Sequence, residues 1–304
     1  PAMRRKIAIA VISVLALTTF NPNAAQAEQL DISANSIKPI ELKPISSKLR
    51  IVALANGSAE VITSLGLKSS LVGRDIASTT PELKSIPLVT SGHQVIAEKV
   101  ISLKPNLVIV DSSVGPKSAL DAIKKAKIKI SSVPQAWNLN DIYIKVAAIG
   151  KLVNETKQAD DLIKSMKASI TRSKSDLGWK PKVIFLYLRG PSSIYLIGGP
   201  GSGADSLVNA IGGKDIGAKT LKNPFNPLTS EALIAANPDV FLVMSNGLKS
   251  VGGISGFMKL PGVAQTNAGK NKKILSVDDS LLLSFGPRTP DLLAQMSTSL
   301  KALK

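Results

Sequence analysis

An α/β fold of two similar lobes, each with a mainly parallel sheet and joined by a long rigid helix, is predicted by three features of the sequence. The first is an internal repeat. Glu98-Lys-Val-Ile-Ser-Leu-Lys-Pro-Asn-Leu-Val-Ile-Val110 returns at the same spacing as Glu231-Ala-Leu-Ile-Ala-Ala-Asn-Pro-Asp-Val-Phe-Leu-Val243, 133 residues further on. In each copy a glutamate opens an apolar run of helical spacing, a proline stops it seven residues later, and a largely β-branched stretch follows. Each copy therefore reads as a helix running into a buried strand. The second feature is the alternation of helices and strands around both copies, which needs crossover connections and so parallel pairing. The third is a stretch from Asn140 to about Ser175 with helical spacing and no strand pattern. An offset of this length exceeds a solenoid period and points to paired lobes with a ligand cleft between them.

The elements follow in order. Residues 1–27 read as an export signal: Arg4, Arg5 and Lys6 precede the apolar run Ile7 to Leu17, and Ala25-Gln-Ala27 supplies a small-x-small cleavage pattern. That run is shorter than the roughly 20 residues that span a bilayer, so the mature chain is expected to be exported and soluble, in a periplasmic or cell-envelope space. The N-terminal lobe is placed at 28–138. It opens with a polar leader to Lys48, then strand Arg50–Ala55, a helix from near Ser58 to Gly66, helix Val95–Leu103, strand Leu107–Val110, helix Pro116–Ala126 and strand Lys129–Val133. An inter-lobe helical linker spans 139–177, with Ile142, Val146, Ile149 and Val153 on one helix and Ala159, Leu162, Ile163, Met166 and Ile170 on a second. A break near Asn154 separates them, and a second helix of about 20 residues would extend roughly 30 Å. The C-terminal lobe, 178–304, starts with strands Val183–Leu188 and Ser193–Ile197 and ends on a helix from about Thr289.

A chain of 304 residues can bury one large core or two ordinary ones, and the repeat favours two. There is no cysteine. The fold is thus expected to rely on its core rather than on disulfides, with no lipid anchor of the cysteine-linked type. The net charge is +17, and removing the three basic residues of the signal leaves +14. The lysines are scattered rather than gathered into an arginine-rich or aromatic-interleaved patch, which argues against nucleic acid. Two readings of the excess stay open: attraction to an anionic ligand or membrane surface, or a solvated lysine-rich face.

Several motifs together resemble the substrate-binding proteins of ABC importers that have a rigid inter-lobe helix and carry haem, ferric siderophores or cobalamin. They are Gly73-Arg-Asp75, Glu98 with Pro105, the long helix, Leu228-Thr-Ser-Glu-Ala-Leu233 and Asn237-Pro-Asp239. Within that family the chain looks most like haem carriers of actinobacterial uptake systems, through Ser91-Gly-His93, Tyr187-Leu-Arg189, Gly198-Gly-Pro-Gly-Ser-Gly-Ala-Asp205, Gly247-Leu-Lys-Ser-Val-Gly-Gly253 and Ser284-Phe-Gly-Pro-Arg288. One departure stands out. Related Gram-negative carriers place a tyrosine ligand just before the proline of the loop that here runs from Gly73 to Pro81, and this chain has Thr80 there.

The resemblance implies a site. His93, the only histidine, offers an imidazole to haem iron. Tyr187 offers a hard anionic oxygen suited to ferric iron. Arg189 shares its strand face at i+2, where the guanidinium can lie beside the phenol oxygen and favour its ionised form. One ligand from each lobe would leave no open coordination position, which suits carriage rather than redox catalysis. Arg74 and Arg288 are candidates for the haem propionates. Glu98 and Glu231, one per lobe, are implied as docking points for the permease, whose ATPase subunits hydrolyse ATP elsewhere; each glutamate also suits the first turn of its helix.

The expected function is delivery of ferric haem to an ABC importer. The alternatives are a cobalamin or ferric-siderophore carrier of the same class and a secreted haem-modifying enzyme. Against an enzyme, the chain has no G-x-S-x-G elbow and no cysteine nucleophile, and a single histidine cannot serve both a triad and a metal site. Gly199-Pro-Gly-Ser-Gly-Ala204 also fits a dinucleotide fingerprint, but proline occupies the turn and no acidic residue ends a second strand about 20 residues on. Close packing of the following helix on its strand is the expected reason for those glycines.

Overall fold

The two copies of the repeat fold alike. In a computed structural model, which describes residues 29–174 and 176–304, the first copy forms a helix at Ala97–Ser102 and a strand at Leu107–Val110. The second forms a helix at Ser230–Ala236 and a strand at Val240–Met244. The residue before each proline disfavours the helical region, so each helix must end there. Lys104 and Asn237 do so at positive φ, 49° and 39°, at equivalent places of the repeat. The export signal read at 1–27 lies outside the described residues.

The chain begins with β1 (Gln29–Ile32), β2 (Ile51–Ala53), α1 (Ser58–Ser64), β3 (Leu71–Arg74), β4 (Thr90–Ser91), β5 (Gln94–Val95), α2 (Ala97–Ser102), β6 (Leu107–Val110), α3 (Lys117–Lys125) and β7 (Ile130–Ser132). Two helices follow, α4 (Leu139–Leu152) and α5 (Thr156–Ser173), separated at Asn154 with φ 60°. The remainder is β8 (Lys182–Arg189), β9 (Ile194–Gly198), α6 (Ala204–Ala210), β10 (Lys214–Asp215), α7 (Ile216–Thr220), β11 (Phe225–Pro227), α8 (Ser230–Ala236) and β12 (Val240–Met244). It ends with α9 (Ser245–Ser250), α10 (Gly253–Phe257), α11 (Asn267–Lys270), β13 (Ile274–Val277), α12 (Asp279–Leu282) and α13 (Thr289–Ala302).

The first lobe's sheet has the order β3-β2-β6-β7 and is parallel throughout. The second sheet has the order β1-β13-β12-β8-β9-β11, with β10 beside β8. It is parallel except for β8–β9 and β9–β11. The link from Arg189 to Ile194 is too short for a crossover, so β8 and β9 can only pair antiparallel.

Two expectations need correction. The leader after Glu28 contains a strand, and β1 pairs with β13 at the edge of the second sheet rather than with the first lobe. The cores are also not two separate ones. The largest apolar cluster runs from Ile51 and Ile62 through Val146, Ile149, Leu162 and Met166 to Leu242, Phe285 and Leu293, so it joins both sheets. Smaller clusters fill the outer sides: Val52, Val100 and Val108 in one lobe, Leu186, Phe241 and Phe257 in the other. The bridge is a chain of packed helices, since α1 packs on α4, α4 on α5 and α5 on α13. A bridge made of several helices sharing one core resists hinge bending more than a single helix would.

Candidate ligand-binding cleft

The first-lobe rim is a hairpin. Thr90–Ser91 pairs with Gln94–Val95, and Gly92, at φ +54°, makes the tight turn that carries His93 outward into solvent. His93 lines a recess of about 180 Å³ with Leu54, Asp75, Ile76, Thr90 and Ser113. Arg74 braces the loop beside it. Its Nε donates to the Ile86 carbonyl at 3.0 Å, and its Nη1 donates to those of Asp75 and Ser78, each at 3.3 Å. The sequence makes Arg74 a propionate partner; the structure spends most of its donors on backbone. Burial raises the Asp75 carboxyl, opposed by a hydrogen bond from Ser78. Ile76, 38% exposed, stands on the same loop, and Thr80 is buried.

The second-lobe rim is β8. Alternation sends Ile184, Leu186 and Leu188 into the outer cluster, while Phe185 and Tyr187 face the core shared by the lobes. Tyr187 is half-buried, edge-on to Phe225 with centroids 5.8 Å apart. Arg189 follows Tyr187 at i+2 on the same strand. Its guanidinium carbon lies over the Tyr187 ring, 4.6 Å from the centroid. Arg189 Nη2 is held 3.1 Å from Asp279 Oδ2, and Nη1 donates to the Leu188 carbonyl at 2.8 Å.

The lobes meet below these rims. A second recess of about 180 Å³ is lined by Asn56, Ala77 and Ser78 from one side and Asp279, Ser280 and Leu283 from the other. The loop Asp75–Ser78 thus borders both recesses, facing His93 on one side and the Asp279 partner of Arg189 on the other.

Glu60 and Arg288 also line the second recess, and with the buried Lys145 they form a group of charges of which the sequence points only to Arg288. Arg288, 5% exposed, has Nε 2.5 Å from Glu60 Oε1 and donates through Nη2 to the Ser280 carbonyl at 2.6 Å. The sequence offers Arg288 to a propionate; in the structure its charge is matched by Glu60, buried on α1. Lys145 of α4 is 2% exposed, and its Nζ reaches the Asn56 and Ser284 carbonyls at 3.4 and 3.3 Å, one from each lobe. Burial lowers the Lys145 amine to about 8 even though Glu60 and Asp111 favour its charge. Burial likewise raises Glu60 against the pull of Arg288 and Lys145. Periodicity held a signal for this: Lys145 falls on the apolar stripe of Ile142, Val146 and Ile149, where a lysine needs a buried partner.

Glu98 and Glu231 are exposed in the first turns of α2 and α8, and neither lines either recess. The glycine run before α6 has its own explanation. Asp205 accepts from the amides of Gly201 and Gly203 at 2.9 and 3.1 Å, so a carboxylate occupies the amides a phosphate would need. A Cβ on Gly199 would meet the Asn223 carbonyl oxygen at 2.1 Å, and Gly201 and Gly203 have φ of +83° and +97°. Gly199 thus answers to a neighbouring loop and Gly201 and Gly203 to positive φ, and a Cβ on Gly203 would also meet the Phe285 ring at 2.9 Å.

Two lobes with parallel sheets, a helical bridge and a cleft lined from both sides define a substrate-binding protein. The chain belongs to the periplasmic binding protein family, which it matches over residues 51–281. It is 33% identical to the periplasmic heme-binding protein RhuT from Roseiflexus sp. RS-1, with a TM-score of 0.77 over 84% of this chain and 99% of that one. It is 32% identical to the heme-binding protein HmuT, with a TM-score of 0.74 over 86% and 90%. Solved alanine variants of HmuT replace one histidine, one tyrosine and one arginine, the last two separated by a single residue. Among characterised and uncharacterised sequences, it is 29% identical to an ABC transporter substrate-binding lipoprotein of Bacillus subtilis, over 89% of this chain and 84% of that one. A vitamin B12-binding protein of Vibrio parahaemolyticus is 20% identical over 84% and 90%. No helix among the described residues is long and apolar enough to cross a membrane.

Proposed function

We propose that this chain captures ferric haem between its lobes and delivers it to the permease of an ABC importer, acting as a carrier rather than a catalyst. The observation that supports this reading is that Tyr187 packs under Arg189, whose partner Asp279 lines the recess between the lobes, while His93 lines the recess on the other side of the Asp75–Ser78 loop. The tyrosine and arginine spacing altered in HmuT is also that of Tyr187 and Arg189, and the haem-binding relatives span nearly the whole fold. His93 and Tyr187 would supply the two axial ligands, closing the iron to oxygen and peroxide. Ile76 and Ile194, both exposed beside the rims, provide apolar surface for a porphyrin face.

Arg74 and Arg288 are already engaged by protein acceptors, so the propionates are better accommodated toward solvent, where the positive surface of the chain meets them. Glu98 and Glu231 would dock on the two permease subunits. The protein is exported and acts outside the cytoplasmic membrane, near its importer. The vitamin B12-binding relatives keep cobalamin as the second reading.

Absorption spectra of the protein mixed with hemin, cobalamin and a ferric siderophore test this reading. Hemin should give a six-coordinate ferric spectrum at one equivalent, and His93→Ala and Tyr187→Ala should each alter it. Unaltered bands in both variants would overturn the ligand assignment, and a response to cobalamin alone would favour the second reading.

A further inference from the structure

The repeat sets α2 and α8 at equivalent points of the two lobes, yet they present different surfaces. The 133-residue offset pairs Glu98 with Glu231, Lys99 with Ala232, Ile101 with Ile234, Ser102 with Ala235 and Lys104 with Asn237. On α8, Glu231, Ile234 and Ala235 are exposed at i, i+3 and i+4 and so on one helical face, with Ser230 exposed at its start. Ile234 is 47% exposed and joins no core cluster. Its counterpart Ile101 leans on the first-lobe core, and α2 instead exposes Glu98, Lys99 and Ser102, with Lys104 just beyond.

Neither glutamate has an ion-pair or hydrogen-bond partner among the described residues. On a chain of net charge +17, two unpaired carboxylates at related places are complementary to a partner that offers a cation twice. A permease pair has that form.

We infer that the two docking feet are chemically unequal, and that Ile234 with Ala235 forms an apolar anchor beside Glu231 that seats against apolar surface around one permease cation. This rests on the docking reading given above. The first-lobe foot has no such anchor. Glu98, with Lys99 and Lys104 beside it, makes a polar contact that remains wet. Desolvated apolar side chains at the centre of a contact govern how fast partners separate, whereas rim charges govern how fast they meet and how salt affects it. The second-lobe foot therefore sets residence on the importer, and the first-lobe foot contributes to steering.

The test measures binding of the full hemin-loaded chain to its cognate importer in nanodiscs, at several salt concentrations. Ile234→Ser should raise the dissociation rate on the order of tenfold and leave the association rate and its salt dependence unchanged. Ile234→Leu should behave as wild type. Glu98→Gln should slow association and flatten its salt dependence, with a smaller effect on dissociation. Hemin spectra and melting temperatures should match wild type in all three, since each change is on an exposed side chain. An unchanged dissociation rate in Ile234→Ser would overturn the anchor, as would an equal acceleration in Glu98→Gln. The docking reading is tested apart from it by Glu98→Ala plus Glu231→Ala: wild-type binding by that double variant would sink docking itself, while lost binding with an unaffected Ile234→Ser would sink the anchor alone.

Discussion

The guanidinium of Arg189 lies over the ring of Tyr187, 4.6 Å from its centroid, while Asp279, 90 residues further along the chain, holds it there at 3.1 Å. The charge above the ring is thus partly compensated before any ligand arrives. Asp279 also accepts from the Asn246 amide at 2.8 Å, which ties the arrangement to the start of α9.

This arrangement sets two substitutions in opposite directions. Arg189→Ala removes the cation held over Tyr187 and should speed dissociation of ferric hemin. Asp279→Asn keeps an acceptor for Asn246 but removes the counter-charge, leaving the Arg189 cation unneutralised over the ring, and should slow it. Stopped-flow transfer of hemin to an excess acceptor measures both rates. A change of the same sign in both variants would show that Asp279 does not act through Arg189.

The Glu60–Arg288 pair joins α1 to the segment before α13, with Lys145 nearby holding a carbonyl from each lobe. Removing one partner strands a buried charge, so Arg288→Ala or Glu60→Ala should each cost about 3–5 kcal/mol in urea unfolding. Glu60→Leu with Arg288→Met should cost less than either single change, because the uncompensated charge disappears with its partner. A double variant as unstable as the two losses summed would mean that the two charges do not act as a pair.

Asp215 provides a pH signature. Its Oδ1 accepts from the Ala218 amide at 2.8 Å, capping α7, while Oδ2 is buried with no hydrogen-bond partner. Burial, with a smaller contribution from the Asp205 charge, lifts this carboxyl from 3.8 to about 7. Between those values the folded chain keeps a proton that the unfolded chain has lost, so the stability this group contributes falls as pH rises through that window. Asp215→Asn preserves the Oδ1 cap and removes the charge. Its melting temperature should match wild type near pH 4 and exceed it by several degrees at pH 7.5. Equal melting temperatures at both pH values would contradict the buried carboxyl.

Much of this protein follows from short-range rules. Helical spacing closed by Pro105 and Pro238 determined α2 and α8, and β-branched runs determined β6 and β12, because backbone exclusion before proline and side-chain periodicity act over a few residues. The same locality made the shared face of Tyr187 and Arg189 legible, and put His93 on a turn after Gly92. The partners of the charges were settled by tertiary structure alone. Arg288 meets Glu60, Arg189 meets Asp279, and Arg74 turns to the carbonyls of its own loop, since a guanidinium takes whichever acceptors the packed chain brings to it. β1 joined the far sheet for a related reason: an exposed sheet edge accepts any strand of suitable geometry, and only the folded path of the leader brings Gln29–Ile32 beside β13.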